Sequence, residues 1–422
     1  MKPFTRTAAL LLACLVLAGC MPRPTQPQPE SSSSAQPAAP LPPPPVLLLS
    51  EEPALTLQAY AHRLTLPDGA PFAPPADEQQ VIVTLDAPTT PAVTASAAVA
   101  QSVATVTRDG KEVFSGSLTE LADFAPQTGG DYHLDIHVEW DDDAFRGSSD
   151  YRLTLRYQLP VAFELGSGSV PMGDPLVLRV RYAAPGEAVA ASTNLNFTPQ
   201  FFDYGDDKVA LLPIHPGTKP GEYWVELKCG GSSARLSVKV SETHFEVQHI
   251  KVEESVVSST INSSKANSEY AELIGPVRSI ADPVKHWSGV FVPPIPDYER
   301  ISSEYELTRY YNDNPNPDRH NGIDFPCPTG TPVHAPGAGR VVFAKYLQLT
   351  GNTVVIEHGL GLKSWYYHMD KLLTEEGRMV ETGDIIGEVG STGFSTGPHL
   401  HFGMSVNNVF INPWTMFENE LL

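Results

Sequence analysis

The sequence of 422 residues has little positive charge and few cysteines. It contains 28 Lys and Arg residues against 49 Asp and Glu, which gives a formal net charge of −21 at pH 7. A nucleic-acid binder needs a surplus of cations to neutralise phosphates, so this composition argues against a nucleic-acid partner. Four cysteines are too few for a disulfide-stapled fold. The length instead predicts two to four domains, and 40 prolines and 32 glycines predict many turns rather than an all-helical chain.

Long apolar runs are also missing after the first twenty residues. That N-terminal segment begins with Lys2 and Arg6, continues with an apolar stretch over 8–16 that is too short to span a bilayer, and ends at Cys20. This order predicts a secretory signal over 1–20. Its last four residues, LAGC, resemble the bacterial lipoprotein signal, which implies cleavage before Cys20 and acylation of that cysteine. A secretory signal with an incidental cysteine is the alternative.

A lipid on Cys20 would hold the mature chain at the extracytoplasmic face of a membrane. The resemblance implies the outer membrane in a Gram-negative source and the cell membrane in a Gram-positive one. Residues 21–51 are rich in Pro and Ser and offer almost nothing to bury, so they predict a semi-extended tether. Such a tether would let a folded domain act at a distance from the lipid.

The middle of the chain shows the period-two alternation of short strands, interrupted by Pro, Gly and Asp clusters. One strand–turn–strand pattern occurs twice, and each copy would close a β-sandwich. We therefore expect two Ig-like β-sandwich modules, over 52–160 and 161–242, which are also the candidate surfaces for envelope protein partners. In the second module, alternation places Cys229 on an apolar strand face. This favours a buried thiol over a disulfide with Cys327.

One strand of the first module carries side chains of the metal-ligating types. They alternate with Tyr, Leu, Ile, Val and Trp, which is the pattern of a strand with one face in solvent. We therefore expect a solvated polar face rather than a metal site. The residues are His133, Asp135, His137 and Glu139, followed by an exposed turn at Asp141, Asp142 and Asp143.

The chemically informative residues lie in the last part of the chain. Residues 243–290 are expected to be a connector, polar at first and then helical around Ser268–Ile280. They lead into a final domain over 291–422, which lacks an HExxH helix and so cannot have the thermolysin-like arrangement. That domain instead offers His320, Asp324, His368, His399 and His401.

These side chains suit a zinc site, because zinc accepts imidazole nitrogen and carboxylate oxygen and a catalytic zinc keeps three protein ligands. On a strand, residues i and i+2 share a face, so His399 and His401 should point into one cleft while Leu400 and Phe402 point into the core.

Two further local expectations follow from the same geometry. Strand alternation would place His368 on the face of Tyr366, opposite Trp365 and Tyr367. Gly322 would permit a tight bend that brings the side chains of its neighbours in the HxxxD element together.

The order of short motifs in this domain is more specific than any one of them. They read HNGIDFPCPTGTPVHAPGAGRV, GNTVVIEHG, SWYYHMD, GEVGSTGFSTGPHLHF and INPW. Over 319–414, about a quarter of the chain, they resemble the LytM/lysostaphin-type zinc metallopeptidase family. The resemblance implies an antiparallel β-sheet, barrel-like metallopeptidase domain of the duplicated hybrid motif type. The expected fold is therefore mainly β throughout.

The resemblance also implies the roles of five side chains. The zinc ligands would be His320, Asp324 and His401, and the two catalytic histidines that do not bind zinc would be His368 and His399.

Two nearby features need separate interpretation. Upstream, where the family often has Gly-x-Arg and a tyrosine near the oxyanion, the chain has Glu306 to Arg309 followed by Tyr310 and Tyr311. Either tyrosine is a candidate for that role. His358, at the end of a strand that looks buried, is expected to fix a turn rather than bind metal.

The residues indicate metal-assisted amide hydrolysis, and the resemblance implies the substrate. We therefore expect a membrane-anchored zinc metalloendopeptidase that hydrolyses peptide cross-links or stem peptides of bacterial peptidoglycan, with Zn²⁺ as its cofactor. Two alternatives stay open. One is a non-catalytic envelope protein that docks or activates a cell-wall amidase, and the other is an active peptidase directed at a protein.

Overall fold

The computed structural model describes residues 40–50, 54–76, 80–251, 263–311 and 318–422. This part of the chain is mainly β, as the sequence predicts. The predicted signal, with Cys20, and most of the predicted tether lie outside the described residues. No helix in the described ranges has both the length and the apolar character needed to cross a membrane.

The first β module is made of two sheets that share one apolar core. The sheet orders are β2-β1-β6 and β4-β3-β10-β9-β7-β8, with β5 parallel to β10. The elements are β1 (Leu47–Leu49), β2 (Leu55–Leu57), β3 (Ala61–Thr65), β4 (Pro71–Phe72), β5 (Val81–Leu85), β6 (Val93–Ala95), β7 (Val99–Arg108), β8 (Lys111–Gly116), α1 (Leu118–Leu121), β9 (Gly130–Asp141) and β10 (Arg146–Tyr157).

Strand β1 corrects the predicted end of the tether. Leu47 and Leu49 are buried in the first module's core, and Leu48 between them points outward. The apolar run that follows the last prolines has enough hydrophobic surface to be buried, so the chain enters the fold before residue 51.

The polar face of β9 agrees with its interpretation as a solvated surface. Its residues alternate between buried apolar and more exposed polar side chains along the whole strand. His137 Nδ1 lies 2.6 Å from Asp150 Oδ1, and His133 Nδ1 lies 3.1 Å from Thr154 Oγ1. Among the described residues, no group of three metal-ligating side chains forms on this strand.

The second β module is also a pair of sheets with a shared core. The orders are β11-β13-β16-β15 and β12-β18-β17-β14, and Cys229 is a buried free thiol in that core. The Ig-like character of both modules stays a prediction. The strands are β11 (Ala162–Leu165), β12 (Ser169–Pro171), β13 (Pro175–Arg181), β14 (Ala190–Thr193), β15 (Phe202–Tyr204), β16 (Asp207–Pro213), β17 (Gly221–Cys229) and β18 (Ser232–Ser241).

Strand β16 joins the second module to the C-terminal domain, because it buries both of its faces. Ala210 and Leu212 belong to the module's own core. Val209 and Leu211 point the other way and belong to the core of the C-terminal domain. All four are at most 2 % exposed. The second module is therefore packed directly on the C-terminal domain rather than carried on a free linker.

The C-terminal domain contains the remaining elements. They are β19 (Val247–Ile250), α2 (Ser264–Arg278), β20 (Thr308–Tyr311), β21 (Asp318–Arg319), β22 (Ile323–Phe325), β23 (Pro332–His334), β24 (Gly339–Leu347), β25 (Gly351–Gly359), β26 (Leu362–Met369), β27 (Lys371–Leu372), β28 (Met379–Val380), β29 (Ile385–Glu388), β30 (Leu400–Val406), β31 (Val409–Ile411) and α3 (Pro413–Glu418).

The central sheet of this domain has the order β22-β30-β26-β25-β24-β28, with β31 beside β30. Its strands alternate between two cores: Val354 and Tyr366 face the large core shared with the second module, whereas Val355 and Trp365 face α2. Two smaller sheets, β19-β20-β21 and β23-β29-β27, complete the domain.

The predicted connector is part of this fold. Strand β19 pairs in parallel with β20, and α2 buries Ile274 and Val277 against the central sheet. The helix covers Ser264–Arg278, four residues earlier at its start than the sequence indicates, because Ser263 caps it by accepting the N–H of Ala266.

Candidate active site

Asn321 and Gly322 lead from His320 into strand β22, which contains Asp324. That strand pairs with β30, and the register places Asp324 directly opposite His401. Gly322 has a different role from the predicted one. A Cβ on Gly322 would overlap the backbone carbonyl of Phe402, so the glycine is needed for the close approach of the chain to β30 rather than for a bend.

Three ligand-type atoms converge at this point. His320 Nε2 lies 2.9 Å from Asp324 Oδ1 and 2.8 Å from His401 Nδ1, and the last two atoms are 3.0 Å apart. Each of the three residues is 5 % exposed. The structure thus brings together the three side chains for which a metal-binding role is predicted.

The surroundings fix which atoms face the centre of this group. The carbonyl of Glu304 lies 2.9 Å from His320 Nδ1 and can only accept, so Nδ1 donates to it and Nε2 faces the centre. Arg309 Nη2 donates to Asp324 Oδ2 at 2.9 Å, which leaves Oδ1 for the centre. Two imidazole nitrogens and one carboxylate oxygen are a donor set that fits a divalent cation such as zinc.

The electrostatics suit a cation in the same place. Burial alone would raise the pKa of Asp324, but the two neighbouring histidines outweigh it and hold that pKa well below its ordinary value. Burial lowers the pKa of His401 to about 4, so its ring is neutral at pH 7. An ionised carboxylate and a neutral imidazole are the forms that bind metal.

His368 lies at a break in the regular alternation of β26. Its φ is +63°, and the β25–β26 register shifts next to it. The predicted placement on the face of Tyr366 is therefore wrong: Met369, not His368, follows Tyr366 into the large core. This left-handed backbone turns the His368 ring toward His399, with 4.9 Å between the ring centroids. Left-handed backbone at a buried non-glycine residue is often associated with a functional site.

Both of these histidines present their Nε2 atoms to the groove. The carbonyl of Thr392 lies 2.8 Å from His368 Nδ1, and that of Gly397 lies 2.8 Å from His399 Nδ1, so each ring donates from Nδ1. His399 Nε2 is 3.9 Å from Asp324 Oδ1. Burial lowers the pKa of His368 to about 3, which keeps it neutral at pH 7.

The five side chains lie in one groove of about 700 Å³. Leu400 and Phe402 are buried in the core, as the alternation predicts, so His399 and His401 are directed to the opposite side of β30. The groove is also lined by Tyr270 and Arg278 from α2.

Sequence reasoning missed the aromatic support of the site. The Tyr367 ring stacks on the His401 ring at 4.9 Å and 4°, and its hydroxyl lies 3.1 Å from that of Tyr270. Tyr310, one of the two predicted candidates near the oxyanion, instead stacks on His249. The motif SWYYHMD contains Tyr367, but only the fold shows that it contacts His401.

The loop before β20 is a second feature that the sequence left unexplained. Glu306 adopts a φ of +60°, is 4 % exposed and accepts from Arg319 Nη1 at 3.0 Å. Its backbone N–H donates to the carbonyl of His320 at 2.7 Å. This loop therefore holds the backbone at His320, in addition to the contact of the Glu304 carbonyl with its ring.

His358 is fully satisfied within the protein. Its Nδ1 lies 2.8 Å from the Ala338 carbonyl and its Nε2 lies 2.8 Å from Ser364 Oγ. It does not line the groove. These contacts support its interpretation as a residue that fixes local structure.

A second group of metal-ligand types, Asp282, His286 and Glu357, lies outside the groove. The carboxylate of Glu357 accepts three backbone N–H groups, from Asp282, Gly359 and Gly361. Buried Lys363 supplies the nearby positive charge. These hydrogen bonds occupy the Glu357 carboxylate and join the segment that follows α2 to the β25–β26 turn.

The buried His₂Asp group and two further histidines in one groove define a metallopeptidase-type site. In agreement, residues 318–413 match the model of peptidase family M23. This match confirms the LytM/lysostaphin-type resemblance over these residues and the assignment of the domain to the peptidases.

Individual relatives match over stretches of about the same length. Peptidoglycan DD-endopeptidase ShyB of Vibrio cholerae is 40 % identical over 111 residues, 26 % of this chain and 26 % of that protein. DD-carboxypeptidase/endopeptidase Mpg of Neisseria meningitidis is 44 % identical over 94 residues, 22 % of each. The catalytic domain of lysostaphin from Staphylococcus simulans is 33 % identical with a TM-score of 0.27, over 30 % of this chain and 96 % of that one. The matched segment thus spans about a quarter of the two curated relatives.

Proposed function

We propose that the protein is a zinc-dependent endopeptidase that hydrolyses peptide cross-links of bacterial peptidoglycan. The observation that carries the proposal is the convergence of His320 Nε2, Asp324 Oδ1 and His401 Nδ1 within 3.0 Å of one another, beside His368 and His399. All five side chains needed for metal-assisted hydrolysis are present, which favours a catalyst over a non-catalytic activator of an amidase.

In this proposal His320, Asp324 and His401 are the zinc ligands. Zinc bound there would supply a Lewis acid that polarises a carbonyl and lowers the pKa of water. Arg309 orients Asp324 through its Oδ2, and the Glu304 carbonyl orients His320 through its Nδ1. Hydrogen bonds of this kind to metal ligands tune the affinity for the metal.

The proposed roles of His368 and His399 follow from the hydrogen bonds of their rings. Each ring donates from Nδ1 to a backbone carbonyl, so each directs Nε2 toward the groove. One Nε2 can take a proton from the attacking water and pass it to the leaving amine. A ring protonated at Nε2 can donate a hydrogen bond to the oxygen on which negative charge develops.

The substrate is proposed from the relatives. Two of them are named as enzymes that act on peptidoglycan or on DD bonds, and they are 40 % and 44 % identical to this chain over 111 and 94 residues. We therefore propose a DD cross-link between stem peptides as the scissile bond. A protein substrate is the competing proposal for the same chemistry.

The remaining parts of the chain would deliver the domain to the wall. We propose that Cys20 carries a lipid anchor, that 21–45 is the tether, and that 52–160 and 161–242 are Ig-like modules available to envelope proteins. Replacing Cys20 by Ala should leave the signal uncleaved or release the protein from membranes, which fractionation and the mass of the N-terminal peptide would detect.

Digestion of purified sacculi tests the function. Zinc-loaded protein of residues 21–422 should convert cross-linked muropeptide dimers into monomers, as measured by liquid chromatography and mass spectrometry. His401→Ala and a chelator should abolish the conversion. Intact dimers after incubation with protein that holds one zinc per chain would refute the proposal. Cleavage of an envelope protein with no change in the sacculi would favour the competing substrate.

A further inference from the structure

Helix α2 forms one wall of the active-site groove, although it lies outside the segment that matches the peptidase family. The matched residues begin at Asp318, whereas α2 ends at Arg278. Ile274 and Val277 are at most 5 % exposed and pack on the central sheet, and Glu269 accepts the backbone N–H of Gln348 at 2.8 Å. The wall is therefore a fixed part of the domain.

The helix shares a sheet face with the catalytic side chains. His401 alternates with Leu400 and Phe402, which lie in the opposite core, and its ring stacks on Tyr367. Tyr367 in turn belongs to the cluster that packs against α2 and contacts the hydroxyl of Tyr270. A peptide bound across the metal site and extended along this face would therefore reach α2 within a few residues.

Arg278 differs from the other arginines that line the groove. Arg309 is paired with Asp324, and Arg319 is paired with Glu306. Arg278 lies over the Tyr270 ring, with its Cζ 5.7 Å from the ring centroid. Within the described ranges, its guanidinium forms no salt bridge, whereas Arg309 and Arg319 each form one.

A guanidinium that lines a groove without a carboxylate partner is complemented by a bound acceptor that carries negative charge. The aromatic ring beneath Arg278 holds the planar fork in position, so little side-chain freedom is lost on binding. In a chain with a formal net charge of −21, a groove cation that is not already neutralised favours anionic ligands locally.

We propose that Arg278 is a specificity-determining residue that binds a free carboxylate of the substrate peptide. The inference rests on the proposed peptidase function and adds the chemical class of substrate that the groove prefers. The carboxylate belongs either to the peptide's C-terminus or to a side chain near the scissile bond.

The test uses the zinc-loaded protein and three synthetic cross-linked stem peptides. One has all carboxylates free, one is amidated at its C-terminus, and one is amidated at its side-chain carboxylates. The variants are Arg278→Gln, Arg278→Lys and, as a matched control, Lys345→Gln, which removes a surface cation paired with Glu376 outside the groove.

Wild-type protein should cleave the free-carboxylate peptide with a kcat/KM about 10- to 100-fold higher than that for one of the two amidated peptides. Most of this difference should come from a higher KM for the amidated peptide. The amidated peptide that loses this advantage identifies the carboxylate. Arg278→Gln should remove the preference while cleaving the amidated peptide as wild type does. Arg278→Lys should restore part of the preference for the free carboxylate, and Lys345→Gln should show the same preference as wild type.

Two results would overturn the inference. One is an equal preference in wild type and Arg278→Gln, and the other is a loss of cleavage of all three peptides to the same extent in Arg278→Gln, which would indicate a structural role. If wild type cleaves none of them, the peptidase proposal fails. Calorimetric binding of the same peptides then tests whether Arg278 binds a carboxylate, because equal Kd values for the free and amidated peptides would refute that role.

Discussion

The packing of strand β16 predicts that the second β module and the peptidase domain unfold together. Leu211 and Leu212 are neighbours of the same residue type, 2 % and 0 % exposed, and they point into different cores. Leu212 lies in the module's own core. Leu211 lies in the core that also contains Tyr305, Phe402 and other peptidase-domain residues.

Truncation of either leucine to alanine should cost about 2–4 kcal/mol of unfolding free energy, because each would leave a cavity in a close-packed interior. For Leu211, the size of this loss also tests whether the second module packs on the peptidase domain. If the module were a separate body on a flexible linker, its outer face would be solvated, and the same change would cost less than about 0.5 kcal/mol.

Urea unfolding gives the total free energy, and amide hydrogen exchange locates the loss. Leu211→Ala should increase exchange in the peptidase strands β25 and β26 as well as in β17 and β18. The matched variant Leu212→Ala should act first on β17 and β18. A cost below about 0.5 kcal/mol for Leu211→Ala, or unchanged exchange across Gly351–Met369, would refute the shared core.

Three further predictions concern single side chains. Gly322→Ala should abolish stoichiometric zinc binding, measured by elemental analysis, because the new Cβ overlaps the Phe402 carbonyl; full zinc binding would contradict the close approach. His368→Ala should retain zinc and lose peptidase activity, whereas His401→Ala should lose both; loss of zinc from His368→Ala would contradict the division of roles. His358→Gln should reduce the loss of unfolding free energy that wild type shows as the pH falls below 6.5, since burial lowers the pKa of His358 to about 4. The unfolded chain protonates this imidazole near pH 6.5 and the folded chain does not, so this contribution of about 3 kcal/mol is complete above pH 6.5 and is lost as the pH falls toward 4. Urea titrations of wild type and variant between these pH values would show an unchanged slope if the reasoning were wrong.

Much of the candidate site was predictable, because strand period and motif order are local properties of the sequence. Alternation correctly directs Leu400 and Phe402 to the core, and the motif resemblance selects the three residues that the structure brings together. The same rule failed at His368, where a positive φ and a register shift break the period. Such a break depends on tertiary packing and leaves no mark in the residue types.

The contacts between distant segments were not predictable. The connector was predicted to be polar at first and then helical, but its residue types do not indicate that β19 pairs with β20 or that α2 packs on the central sheet. The double burial of β16 was also missed, because a run of apolar residues does not say which core each face meets. Arg278 and Tyr270 join the groove only through that packing.

The most direct test of the account follows the hydrolysis of a cross-link in ¹⁸O-labelled water. Zinc-loaded protein should convert muropeptide dimers into monomers in which the newly formed carboxylate carries one ¹⁸O and the partner peptide carries a new amine. The zinc-retaining variant His368→Ala should leave the dimers intact. Dimers that persist with zinc-replete wild-type protein, or label that appears in the glycan rather than in a peptide carboxylate, would contradict the assignment of the groove as a peptidoglycan endopeptidase site.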